Sequence, residues 1–135
     1  VHAARRPWKS ATNNRRASAT RKEIKVDKKL GKITAAGFGL GGYQDACIGL
    51  SITIESGGWI MSDWRGGWSE MIKCDSHCKW TEADRSKTND ETVRFVDGIL
   101  RAAKKQSVTQ LVGVPVEVTL DGMTLKSWRV LTEVI

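Results

Sequence analysis

The chain predicts an α+β domain: one antiparallel sheet of about five strands, with elements in the order β-β-β-α-β-β, packed on one long helix. Three observations predict it. Residues Cys47 to Glu55 alternate Ile48, Leu50, Ile52 and Ile54 with Gly49, Ser51 and Thr53, the two-residue period of a half-buried strand. Asp121-Gly122, set between two alternating runs, is a hairpin signal. Between Thr81 and Lys105 one stretch carries a helical period instead.

In chain order, Ile33 to Phe38 reads as a short strand and Gly39 to Tyr43 as a glycine-rich loop. The Cys47–Glu55 strand turns at Ser56-Gly57-Gly58 into an antiparallel partner, Trp59 to Trp64, with Trp59, Met61 and Asp63 on one side and Ile60, Ser62 and Trp64 on the other. Arg65 to Lys79 has no period and reads as a loop. Thr88 with Glu91 has capping-box spacing and so, more weakly, does Thr81 with Asp84, so either starts the helix. Its apolar stripe is Val93, Val96, Ile99, Leu100 and Ala103, and Lys104 and Lys105 complement the macrodipole at its end. Gln106 to Gly113 connects to the final hairpin. A turn at Asp121-Gly122 sets Leu120 against Met123, Val118 against Leu125 and Val114 against Arg129, which puts Arg129 on the apolar side. An arginine there snorkels to water, pairs with an acid, or awaits an anion.

At 135 residues the chain holds one domain. Its net charge of +7 is unevenly spread: residues 1–32 hold eleven Lys and Arg against Glu23 and Asp27, while residues 33–135 hold eleven against thirteen acids. Residues 1–31 therefore read as a basic flexible arm with too few apolar groups to offset the entropy of ordering, and 32–135 as the ligand-binding domain. Three readings of the arm compete: a polyanion-binding tail, a solubility extension, or non-native residues upstream of the true start, since the chain opens on Val1 and has no Met before Met61. With no apolar segment after the first arginines and three cysteines, the expected setting is a reducing cytoplasm, with no membrane contact.

The motifs sort by physical plausibility. Gly37, Gly39 and Gly42 match a dinucleotide-binding fingerprint, but a β-branched alternating run follows where a helix must open, so that fold is rejected. Cys74, His77 and Cys78 offer three soft ligands where zinc takes four, so no metal and no cofactor is assigned. The only histidines are His2 and His77, no nucleophile-and-base set has a scaffold, and no catalytic residue is named. Tryptophan is more telling: Trp59, Trp64, Trp68 and Trp80 crowd one stretch beside Arg65. Core packing is the reading for Trp59. For Trp64 and Arg65 it is a site, because an indole stacks a nucleobase and a guanidinium pairs with phosphate.

Three blocks occur together: GGYQDA (Gly41 to Ala46), GWIMSDWRG (Gly58 to Gly66) and LVGVPVEVTLDGMTLKSWRVLTEVI (Leu111 to Ile135). Over residues 32–135 the chain resembles the phage-encoded Thoeris anti-defence family of the first described type. That resemblance implies a non-catalytic sponge in the host bacterial cytoplasm. It would sequester a cyclic ADP-ribose isomer made by TIR-domain immune enzymes and form homo-oligomers. The basic arm and the CDSHC loop lie outside the family pattern. Such a ligand presents an adenine face, riboses and a pyrophosphate. Tyr43, Gln44 and Asp45, then Trp64 and Arg65, then Arg94 and Arg129 supply matching groups. The alternative is a small nucleic-acid-binding protein that uses residues 1–31.

Overall fold

The computed structural model describes residues 26–135. Five strands form an antiparallel sheet in the spatial order β3-β2-β1-β4-β5: β1 (Val26–Gly41), β2 (Cys47–Ser56), β3 (Trp59–Trp68), β4 (Pro115–Asp121) and β5 (Thr124–Val130). The helix α1 (Glu82–Ala103) lies between β3 and β4 in sequence, so the element order is the expected β-β-β-α-β-β. No helix among the described residues is long and apolar enough to cross a membrane.

The organising element is β1, longer than its apolar run suggests. Its first half, Val26 to Lys32, pairs with β4, and its second half, Lys32 to Gly41, pairs with β2. The change of partner occurs at Gly31 to Ala35, where the register slips around Thr34. Gly31 is required there, since a Cβ would stand 2.6 Å from the Glu55 carbonyl oxygen. The sheet is thus two three-stranded halves hinged on one strand, and it curls until its edges meet: Trp128 Nε1 on β5 donates to Asp63 Oδ2 on β3 at 2.7 Å. The proposed arm boundary at residue 31 therefore falls inside β1, whose ladder starts at Val26, and residues 1–25 of the arm lie outside the described residues.

The core fills the curl. Ile33, Leu50, Ile52, Ile54, Val116, Val118, Trp128 and Val130 point inward from the sheet and meet Ile99 and Ala103 of α1. The alternation in β2 is as expected, with Leu50, Ile52 and Ile54 fully buried. Met61 and Asp63 face Ile54 and Ile52, so they do share one side of β3, but β3 runs on to Trp68 through residues that lack an apolar period. Trp59 is not a core residue; it is 54% exposed at the hairpin end.

Of the two helix starts, Thr81 wins. Asp84 N–H donates to Thr81 Oγ1 (3.1 Å) and Thr81 N–H to Asp84 Oδ2 (2.8 Å), a complete capping box, with Glu82 and Asp84 in the first turn where the macrodipole favours acids. The buried stripe is the expected one except at its start: Ile99 and Ala103 are buried and Val96 and Leu100 half-buried against the core, but Val93 is 62% exposed and Thr92 and Phe95 face inward in its place.

The last hairpin corrects the predicted register. Its turn is Gly122-Met123, flanked by the pair Asp121 and Thr124, and Gly122 (φ 63°) takes the first central position. Leu120 opposes Leu125, but Thr119 opposes Ser127, so a bulge leaves Lys126 unpaired. Because side chains alternate every residue, that single insertion reverses the rest of β5. Trp128 and Val130 turn inward opposite Val118 and Val116, and Arg129 turns outward opposite Glu117.

Arg129 is accordingly an ion-pair centre on the outer face. Its Nε donates to Glu117 (3.1 Å), and Nη1 and Nη2 donate to the two oxygens of Glu133 (2.9 and 2.7 Å). The hydrogen bond from Arg129 is the largest cause holding the Glu133 carboxyl down at about 2, against an ordinary 4.5. Since the folded value is depressed, the unfolded chain binds the extra proton, and this pair's contribution is present above about 4.5 and lost as pH falls toward 2. Melting temperature measured across that window should fall less steeply for Glu133→Gln than for the parent protein. The difference is small, because both side chains are about half exposed.

Candidate groove between strand β3 and helix α1

The C-terminal half of β3 and the N-terminal half of α1 enclose a groove. Gly67 lets the two approach closely: a Cβ there would lie 2.8 Å from Thr88 Cγ2, so a side chain at this position would displace Thr88. One section, of about 240 Å³, is lined by Trp64, Arg65, Gly66, Thr88, Glu91, Thr92 and Phe95. A second, of about 210 Å³, shares Gly66 and Thr88 and ends on Trp68, Trp80, Asp84 and Arg85. Each alone is smaller than a usual small-ligand site of about 300–1,000 Å³, and the shared residues make them adjoining parts of one groove.

Arg65 reaches the groove because it pairs with Leu50 across the strands, which puts it on the helix side of β3. Its guanidinium sits 4.1 Å above the Phe95 ring, and its Nε donates to Asp63 Oδ2 (3.3 Å). The same Asp63 oxygen holds Trp128, whose ring meets Phe95 edge-on at 6.0 Å. Arg65 is thus oriented by the same contacts that close the sheet. Its side chain remains 45% exposed. Thr92 Oγ1 donates to the Thr88 carbonyl (2.8 Å), which leaves its lone pairs free to accept. Glu91, within 3.9 Å of Lys87, adds a carboxylate at the rim.

Of the seven sequence-predicted site residues, the fold brings Arg65 into this groove; Trp64 borders the groove but pairs with Ser51 on the opposite side of β3, and its ring lies against Gly41 of β1. Tyr43, Gln44 and Asp45 form a 3-10 turn between β1 and β2, with Gln44 (φ 55°) and Asp45 (φ 57°) left-handed and Tyr43 84% exposed, and they do not line it. Ser69 N–H donates to the Ala46 carbonyl (2.8 Å), so this turn sits beside the end of β3. Arg94 points away from the groove and pairs with Asp90 at 2.9 Å, four residues back on the exposed side of α1. Arg129 is on the outer face, as described above.

Sequence reasoning missed Arg85. It is 5% exposed, and its Nη1 and Nη2 donate to the carbonyls of Ser69 (2.7 Å) and Ile72 (2.6 Å), with Glu82 at 2.9–3.0 Å. Its guanidinium lies 4.7 Å from the centre of Trp80, which stacks on Trp68 at 5.8 Å. The residues after β3 are therefore fastened to the helix by one arginine. In the sequence Arg85 looks like any charged residue of a first helical turn, and nothing there signals its burial. Thr88 and Thr92 gave a faint signal: they are four apart, so they stand on one helix face.

Among protein-family models, curated proteins and solved structures, no match to this chain was found.

Proposed function

We propose that this protein is a non-catalytic binding module. It captures a cyclic ADP-ribose-type nucleotide signal from TIR-domain immune enzymes and so acts in phage anti-defence, as the resemblance of residues 32–135 implies. The observation that carries the reading is that Arg65, singled out on chemical grounds in the sequence, enters one groove with Thr88, Thr92 and Glu91. The guanidinium offers a fork for pyrophosphate, and the hydroxyls and carboxylate offer acceptors for ribose. These groups bind; none is paired as nucleophile and base.

Calorimetry with cyclic ADP-ribose isomers should show saturable binding, and heating the complex should return the ligand intact. Recovery of linear ADP-ribose would instead make the protein a hydrolase. The basic N-terminal segment, with eight Lys and Arg against one acid over residues 1–25, supports the second reading, nucleic-acid binding. Separating the two calls for removal of residues 1–25 only, because a cut at 31 would strip β1 of most of its ladder with β4. The shortened protein should keep its nucleotide affinity. Tight, salt-sensitive DNA or RNA binding that vanishes with residues 1–25, without any nucleotide binding, would establish the alternative.

A further inference from the structure

We propose that Cys74 and Cys78 form a redox-active dithiol that low-molecular-weight disulfides convert to an internal disulfide, altering the Trp80 wall of the groove. The segment between β3 and α1 folds so that the two thiols converge. Cys78 N–H donates to the Asp75 carbonyl (3.2 Å), which closes a turn over Asp75 to Cys78, and His77 N–H donates to Asp75 Oδ1 (2.8 Å), which braces it. Cys78 Sγ in turn accepts from Asp75 N–H at 3.2 Å, so it lies next to the backbone of Cys74. Desolvation by burial, and next the neighbouring Cys78 side chain, push the Cys74 thiol up to about 11. Both cysteines are only half-buried, which leaves the sulfurs open to a small reagent.

The bonding directions divide the labour. Cys74 Sγ donates to the Trp80 carbonyl at 2.7 Å and is held as a thiol, whereas Cys78 Sγ accepts from Asp75 N–H at 3.2 Å and donates only at 3.8 Å, to the Lys73 carbonyl, so it is the better placed nucleophile. Cys78 as thiolate attacks one sulfur of RS–SR, forming Cys78–S–S–R and releasing RS⁻. Cys74 then loses its proton to solvent and attacks the Cys78 sulfur, forming the Cys74–Cys78 bond and releasing the second RS⁻. Two protein thiols are oxidised, one RS–SR is reduced to two thiols, and the two protons end on those products. Once Cys74 is bonded to Cys78 it has no proton to give Trp80. That carbonyl loses its donor, beside the ring that stacks on Trp68 and covers Arg85. The inference does not depend on which ligand the groove takes.

Full-length native protein treated with oxidised glutathione, digested without reduction and weighed, should show a Cys74–Cys78 linked peptide lacking two hydrogens. Cys47, half-buried on β2, should remain titratable at that point. Cys74→Ser should stop at a glutathione adduct on Cys78, and oxidation of the parent should shift tryptophan emission but leave that of Trp80→Phe unchanged. A lasting adduct on Cys78 in the parent, reaction at Cys47 first, or no reaction under native conditions would overturn the dithiol. An internal disulfide with unaltered emission would overturn its link to Trp80.

Discussion

Arg85→Ala should be the most damaging single substitution outside the apolar core, costing about 3 kcal/mol. Arg85 donates to the carbonyls of Ser69 and Ile72 from a position that is 5% exposed, and a hydrogen bond to a charged group contributes about 1.5–3 kcal/mol. Its removal would leave both carbonyls without that donor, empty the space under Trp80 and release the residues between β3 and α1. The partner carboxylates add little, since Glu82 and Glu70 are largely exposed. At about 4–8 °C per kcal/mol for a domain near this size, the melting temperature should drop by more than 10 °C. Arg85→Lys should recover only part of it, because an ammonium cannot span two carbonyls and an indole face as a planar fork does. A loss below about 1 kcal/mol in chemical denaturation would show that those carbonyls are hydrated at little cost and that Arg85 is not the fastener.

Arg65→Ala should weaken nucleotide binding by roughly tenfold to a hundredfold, the equivalent of about 1.5–3 kcal/mol for a charge-assisted phosphate contact. Arg65 also rests on Phe95 and bonds Asp63, so its own contribution to folding has to be separated from its contribution to binding. Asp63 keeps its bond to Trp128 in the variant, and the sheet edges should therefore stay joined. Thermal stability should change little beside the change in affinity. Arg129→Ala is the contrasting control: with Glu117 and Glu133 already occupying its guanidinium, it should alter stability more than affinity. If Arg129→Ala abolished binding and Arg65→Ala did not, the ligand would sit on the outer face and the groove would be excluded.

Several features were legible in the sequence for a local reason. The two-residue period of Cys47 to Glu55, the capping box at Thr81 and the glycine at the tip of the last hairpin depend on sterics and hydrogen bonds within a few residues, and each appears in the structure. That Arg65 lines a groove was legible because it follows an alternating run and carries chemistry a core does not need, whereas the side on which Trp64 falls was not. The register of β5 was not, since Lys126 reads as an ordinary outward residue and only pairing with β4 exposes it as the extra one in a bulge. Arg129 was misplaced for that reason alone.

By itself, then, the sequence determined the class of the fold, the order of its elements and the inward side of β2, all set by short-range periodicity and by the charge and polarity of single segments. Tertiary structure decided where β1 changes partner, which way Trp128 and Arg129 face, and that Arg85 is enclosed. Each of these depends on contacts between residues far apart in the chain: Gly31 with Glu55, Val118 with Trp128, Asp63 with Trp128, Arg85 with Ser69. No local pattern encodes such contacts. They are settled only when the curled sheet closes on its helix, since burying the core fixes side-chain direction more strongly than any residue's own preference.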